Sequence, residues 1–417
     1  MADKNCGIPT TVPITPVFFQ KSFAKNTDLC YNCFNNLIVE ANAALFASVG
    51  LLISYYRQKK EKKLFKKLLF LSFIILFGYA AGICLAKYSG GDGSEAAPYR
   101  ISDANDMNDI GLHEEDWDSH FVMVNDVNLA QFTGTQFNII GYFIDFGHNN
   151  PFAGVFDGNG HTISNFSYQT TATDVIGLFG YVDDVNAVIK DLGLIDPNFD
   201  GGTSYHVGSL VGYLRSGTIS GCYVKGGSVS ANYVVGGLVG YVGGLVNVPL
   251  ISRCYAECTV LGLMDAGGLV GGNETGMISN CYARGNVSGN KRVGGLVGFN
   301  VMWNATIQNC YATGAVDGNN YTGGLVGDNY LGTILSSGWD VQTGGPDNGL
   351  GTPLTTDQMQ KETTFTSADW DFIEIWNIGE NQTYPFLRLY PVGDSNHNGR
   401  VDGRDLAIIA DRWLYGI

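Results

Sequence analysis

Basic residues are scarce over most of this chain. Residues 1–87 hold eleven Lys/Arg against four Asp/Glu, and residues 88–417 hold thirteen against thirty-five. A body this acidic repels phosphate backbones, which excludes nucleic acid as a partner. From Val234 to Gly332 the basic residues are Arg253, Arg284, Lys291 and Arg292 alone. Histidine is rare, at six: His113, His120, His148, His161, His206 and His397. No His-Glu-x-x-His pair, Gly-x-Ser-x-Gly elbow or phosphate loop occurs, so the common signatures of zinc protease, serine hydrolase and nucleotide enzyme are missing. Proline is sparse at 11, whereas glycine reaches 57. Plentiful aliphatic and aromatic residues beside that glycine argue against disorder and for many tight turns between short strands.

Long apolar runs are confined to the N-terminal part. Leu68 to Ala86 is free of charge and follows Arg57, Lys59, Lys60, Lys62, Lys63, Lys66 and Lys67. A basic flank before an apolar run marks an exported segment whose basic end stays in the cytoplasm. Residues 64–87 are therefore expected to be a signal peptide or a membrane anchor, the membrane being met only here. Ile83 precedes Cys84, where lipid attachment wants a small residue. Residues 1–63 form an extension, explained most simply by a mis-assigned start. Within it, residues 37–54 are apolar apart from Glu40, and Cys6 with the Cys30/Cys33 pair is too little for a zinc site. Residues 88–98, rich in Gly and Ser, read as a flexible linker.

From residue 154 the chain repeats itself. An apolar-Gly-Gly-Leu-Val-Gly run recurs, with its leucine at Leu178, Leu210, Leu238, Leu269, Leu296 and Leu325, spaced by 32, 28, 31, 27 and 29 residues. Each unit continues through a polar turn to Ile-Ser/Gln-Asn-Cys-Tyr. No helical periodicity separates the strands, which excludes alternating strand–helix units. Units near thirty residues are too short for four-stranded blades and predict coils of a parallel β-helix, each with three short strands. Gly295-Leu296-Val297-Gly298-Phe299 and Thr306-Ile307-Gln308-Asn309-Cys310-Tyr311 exemplify such strands, with glycines supplying positive-φ corners. Cys222, Cys254, Cys281 and Cys310 recur before a Tyr, and vertically stacked side chains are poorly placed for disulfides. They predict a buried ladder of small apolar side chains.

These repeats resemble the GLUG motif family of bacterial surface proteins, adhesins and some secreted proteases among them. The resemblance covers residues 175–345. Tyr99-Arg100-Ile101-Ser102, Trp117 and Gly154-Val155-Phe156-Asp157-Gly158 resemble the family's entry region, and Trp370-Asp371-Phe372, Trp376 and Tyr384-Pro385-Phe386-Leu387 its closing segment. The resemblance implies a β-helical scaffold and carries no catalytic residues. The expected fold is all-β: a right-handed parallel β-helix over residues 99–345 with an N-terminal cap, a C-terminal cap over 346–391, and short capping helices. Ile101, Met107 and Ile110 suit one such helix. Thr355-Thr356-Asp357-Gln358 suits a capping box opening another.

Residues 392–417 form the last expected unit. Residues 394–405 place Asp394, Asn396, Asn398, Asp402 and Asp405 at positions 1, 3, 5, 9 and 12 of a calcium loop, with Gly399 at the sharp turn and the Arg400 carbonyl at position 7. Leu406, Ile409, Ala410 and Trp413 share one face of the helix that follows. Asp at position 12 resembles a dockerin repeat, which implies Ca2+ and a cohesin-like partner. The chain departs from that pattern in having one repeat, and in Gly403 and Arg404 where a Ser/Thr pair is usual.

Asp183, Asp184 and Asp191 suit a solvated turn better than a grouped site on an early coil. The expected function is a secreted or cell-surface, non-catalytic scaffold or adhesin-like module with a calcium-binding tag, its partner an extracellular glycan or surface protein. The alternative is a polysaccharide-active β-helix enzyme or the carbohydrate-binding component of an extracellular complex. Exposed aromatics in a line along one face would favour that alternative.

Overall fold

The structure is a computed structural model that describes residues 87–172, 175–244 and 247–388. The extension, the apolar run 68–86, and the calcium loop 394–405 with its ligands lie outside these residues.

Successive coils stack in parallel register. Each complete coil carries four or five short strands rather than the expected three, laid on four faces. One coil shows the order. His206–Gly208 lies on face 1, Val211–Leu214 on face 2, Thr218–Ser220 on face 3, and Tyr223–Ala231 on face 4. Faces 1 and 2 hold six strands each, which makes about six turns. Face 3 holds nine and face 4 thirteen.

The extra corner falls inside the Gly-Gly-Leu-Val-Gly run. In the fifth coil face 1 ends with Lys291–Gly294 and face 2 begins with Val297–Val301. The expected strand 295–299 therefore begins in a bend. The expected strand 306–311 also bends, at Asn309, where φ is +52°. The same position is Asp191, Gly221, Arg253, Asn280 and Ser336 in other coils, all with positive φ. Thus the positive-φ corner is mostly not glycine, and Gly236, Gly237, Gly267, Gly268, Gly294 and Gly295 are not at positive φ.

Their absent side chains matter for packing. A Cβ on Gly236 would lie 2.6 Å from the Gly271 nitrogen, and one on Gly267 would lie 2.6 Å from the Gly298 nitrogen. From the other wall, a Cβ on Gly240 would lie 2.6 Å from the Val207 nitrogen. Faces 1 and 2 thus close on each other backbone to backbone, and their corner is a re-entrant crease. Inside the crease the core is thin: a Cβ on Gly268 would lie 2.9 Å from Ala283 Cβ on face 4. Only glycine against alanine fits there.

Elsewhere the interior is filled by ladders. Phe156, Ile189, Ile219, Ile251, Ile278, Ile307 and Ile334 stand in register on face 3. The six repeat leucines are buried at the crease corner. Burying each such side chain contributes about 1.5–3 kcal/mol. Cys222, Cys254, Cys281 and Cys310 are buried and free, as expected. Each sulfur donates to carbonyls, Cys281 Sγ to Ser279 O at 3.2 Å for example.

The glycine-rich stretch 88–98, expected as a linker, is folded against the body. Ser89 N donates to Arg100 O, Arg100 N to Gly90 O, and Asp92 N to Ala97 O. Gly90, Gly91 and Gly93 supply positive-φ turns there rather than slack. Helix Ala104–Ile110 follows, with Asp103 accepting from the Asn105 and Asp106 nitrogens and Met107 and Ile110 buried. At the other end Thr355 and Gln358 form a capping box on helix Thr356–Met359.

Candidate functional site

Side chains pointing out of faces 1 and 2 meet across the crease. On face 2, Tyr181, Tyr213 and Tyr241 stand one above another, followed by Gly272 and Phe299. The Phe299 ring occupies the space above Gly272. Face 1 answers with His206, stacked on Tyr241 at 4.6 Å and 17°. One coil beyond Val234, which pairs with His206, comes Asp265, bound by Arg292 (Nη2 to Oδ2 2.6 Å). Burial pushes the Asp265 carboxyl up, against the pull of Arg292. Burial also lowers His206 to about 4. Its Nδ1 is enclosed without a hydrogen-bond partner among the described residues.

The crease hydroxyls are occupied. Tyr213 donates to Gly243 O at 3.0 Å, Tyr241 to Glu274 at 2.7 Å, and Tyr181 to Asp183 at 2.8 Å. Arg215 holds the same Asp183 oxygen at 2.8 Å. The hairpin of Tyr142–Asp145 and His148–Asn150 lies over this end, with Phe143 5.1 Å from Tyr181. The crease is therefore filled by its own aromatic packing.

Open concave space lies at another corner, between faces 4 and 1. A groove of about 400 Å³ is lined there by Asp200, Ser230, Asn232, Leu261, Leu263 and Ser288 among others. Along the same corner Tyr205 and Tyr233 are 53% and 39% exposed, their rings 5.5 Å apart. Polar side chains and apolar walls together are the components of a small-molecule or glycan site. Trp303 and Tyr330 are also exposed, at 77% and 68%, towards the corner between faces 2 and 3.

The acidic residues singled out from the sequence do not converge. Asp183 and Asp184 precede the strand Val188–Lys190, and Asp191 follows it. Asp183 pairs with Arg215, and Asp184 caps its own turn by accepting from Asn186 N. One cluster of metal-ligating types exists among the described residues: His113, Glu115 and Asp116. The Lys87 ammonium lies 2.7 Å from both carboxylates. Its hydrogen bond holds the Glu115 carboxyl down near 2.

Two features escaped sequence reasoning. Asn273, Asn300 and Asn329 form a ladder, each amide nitrogen donating to the next side chain at 2.8 Å. The recurrence of Asn 27 and 29 residues apart, two places after the last Gly of the motif, was the available signal. The tyrosines after the cysteines stack as a column, Tyr223, Tyr255, Tyr282 and Tyr311, at 4.9, 4.7 and 5.1 Å. Arg284 lies over Tyr282 and donates to Pro385 O at 2.8 Å, tying the C-terminal segment to that column. Cys258 is a fifth buried thiol.

The family model of the GLUG motif matches residues 262–288 and 289–317. These two coils are GLUG motifs. Each GLUG match runs once around the solenoid, from the end of face 4 to the end of face 4. A Halomucin of Haloquadratum walsbyi is 28% identical over 146 residues, covering 34% of this chain and 2% of that one. A protein of Evansella cellulosilytica described as "Putative Gly-rich membrane protein" is 45% identical over 60 residues, 14% of this chain and 7% of that one. The chain thus spans less than a tenth of the length of either relative. A Bacteroides ovatus crystal structure, described as that of "a putative immunoglobulin A1 protease", aligns with a TM-score of 0.55 at 19% identity. That alignment covers 72% of this chain and 95% of the other. The likeness is one of fold.

Proposed function

We propose that this chain is an exported bacterial surface or secreted β-helical module that binds an extracellular ligand without catalysis. The observation that carries the reading is the groove lined by Asp200, Ser230, Asn232 and Ser288, at the same corner of the solenoid on which Tyr205 and Tyr233 are exposed. Names of relatives support it in that they describe a membrane protein and a mucin-like one. Winding is right-handed in this reading, the sense taken by nearly all parallel crossovers. Helix Ala104–Ile110 covers the first end, while Trp370 and Trp376 of the C-terminal segment pack along the outside of face 4 on Tyr282 and Tyr311. A glycan array probed with the full chain and with Tyr205→Ala/Tyr233→Ala tests the reading. Binding lost in the variant supports it, and binding unchanged refutes it.

The C-terminal loop adds calcium to the proposal. Asp394, Asn396, Asn398, the Arg400 carbonyl, Asp402 and Asp405 would bind Ca2+ with Kd about 10⁻⁴ to 10⁻³ M, as extracellular modules do. Titration calorimetry checks this: heat with the native chain and none with Asp394→Ala. A cohesin-like partner would be sought with the calcium-loaded chain.

The second reading is a polysaccharide-active enzyme or the carbohydrate-binding part of an extracellular complex, which the exposed rings of Tyr205, Tyr233, Trp303 and Tyr330 also suit. Release of reducing ends from a bound polysaccharide separates the enzyme from the binder.

A further inference from the structure

The groove between faces 4 and 1 runs along the solenoid. Asp200 pairs in register with Ser230, Ser230 with Leu261, and Leu261 with Ser288. These residues make one row parallel to the axis, one from each coil, at a rise of about 4.8 Å. A second row, Gly202, Asn232 and Leu263, lies two residues further along each coil. Between the rows the lining is Ala231, Gly262 and Gly289, again in register. A Cβ on Gly262 would stand 2.9 Å from Ala266 Cβ, and one on Gly289 would stand 2.9 Å from Val293 Cγ2. Both neighbours are core residues, so the floor is kept close to bare backbone. Three rises make a trough about 14 Å long.

The walls alternate two kinds of surface. Leu261 and Leu263 are 46% and 56% exposed. The Asn232 amide and the Ser288 hydroxyl hydrogen-bond to none of the described residues. Ser230 donates its hydroxyl to Phe199 O at 3.2 Å, which leaves its oxygen able to accept. No Lys or Arg lines the groove, and its first row continues past Ser288 to Asp317. Aliphatic side chains that cover the C–H face of a sugar ring, set among amide, hydroxyl and carboxylate groups that bond its hydroxyls, fit a glycan. Carboxylates without a neighbouring cation repel uronate and sulfated polymers. Strand addition by a peptide has no edge to use, because the groove crosses the face of the sheet. Its backbone bonds already run from coil to coil, Asn232 N to Gly202 O at 2.9 Å and Met264 N to Asn232 O at 3.1 Å.

Resting on the binding reading above, we propose that the ligand of this groove is a linear glycan without anionic groups, lying parallel to the solenoid axis. Its ring faces rest on Leu261 and Leu263. Asn232 and Ser288 bond its hydroxyls, and Asp200 accepts from one end. Successive coils offer these contacts in series, so affinity grows with the length of the glycan.

Titration calorimetry of the full chain tests this with cello-, xylo-, manno- and N-acetylated chito-oligosaccharides, from disaccharide to hexasaccharide. Oligogalacturonates of the same lengths are the anionic counterpart. One neutral series is expected to bind, with affinity rising until the trough is filled and level thereafter. Asn232→Ala should weaken that binding by about two- to tenfold, and Leu261→Ser by about as much. Neither should change the melting temperature, since both side chains are exposed. Affinity that is flat from the disaccharide upward overturns the inference. So does oligogalacturonate binding as tight as the neutral series, or native affinity in both variants. Each of those results leaves the binding reading standing. A protein ligand with no neutral glycan bound also overturns the inference alone. Failure of every glycan and protein tried to bind overturns both.

Discussion

Gly295 and Ala312 face each other across the thinnest part of the coil: a Cβ on the glycine would stand 3.0 Å from the alanine Cβ. The same space is bounded by the Gly324 carbonyl in the next coil. Gly295→Val should therefore destabilise by about 3 kcal/mol or more, since an overpacked site here has backbone on one side and a Cβ on the other. Ala312→Gly should recover part of the loss in Gly295→Ala, because it vacates one of the two opposing atoms. Denaturant unfolding of the two singles and the double measures that coupling.

The cysteine column should be inert while the protein is folded. Burial pushes the thiols of Cys222, Cys254 and Cys281 well up, and that of Cys258 to about 12, so little reactive thiolate exists. Labelling by an aromatic disulfide reagent should be slow in buffer and rapid in denaturant. Cys281→Asp should cost about 3–5 kcal/mol by burying an unpaired charge.

Arg284 is the tie between solenoid and C-terminal segment. It donates to the Tyr311 hydroxyl at 2.9 Å and to Pro385 O at 2.8 Å, and pairs with Glu257 at 3.3 Å. Arg284→Ala should lower stability by about 2–4 kcal/mol and speed hydrogen exchange in residues 376–388 before the coils themselves open. Lysine should rescue little, since one ammonium cannot serve three acceptors set in a fork.

His206 makes stability fall in acid. Its folded-state value is about 4 against 6.5 for the free side chain. As pH drops from 6.5 towards 4 the unfolded chain takes up a proton here that the folded one refuses, so folding weakens across that window. His206→Phe keeps the stack on Tyr241 and should flatten the stability profile between pH 6.5 and 4. Thermal melts at half-unit steps compare the two.

The solenoid was legible because its signal is long-range and redundant. Six leucines at a period near thirty, and a Cys-Tyr recurring with them, leave few other architectures. The bend at Gly295-Leu296 was not legible, because Gly-Gly-Leu-Val-Gly reads equally as a continuous apolar strand. Only contact with Gly324 and Ala312, in and across the coil, makes it a corner. Residues 88–98 misled for a related reason: glycine composition is the same for a slack tether and for positive-φ turns. The partners that decide, Arg100 and His120, lie outside the stretch. The groove beside Tyr205 was invisible in the linear chain. Its lining comes two or three residues at a time from four successive coils, such as Asp200, Ser230, Leu261 and Ser288.

Phe121, Phe152, Phe156 and Phe179 touch one another in the first coils, with centroids 4.9–6.4 Å apart. Later coils fill the matching space with isoleucine and valine, which reach less far. A chain synthesised from its N-terminus completes this aromatic knot first, while the remaining repeats are still to be made. Each later coil then finds a finished rung waiting for it, and identical-looking repeats are counted off in order instead of pairing with the wrong neighbour. Register errors, the standing hazard of near-identical strands, are thus limited by the direction of synthesis and by one end of the ladder being unlike the rest.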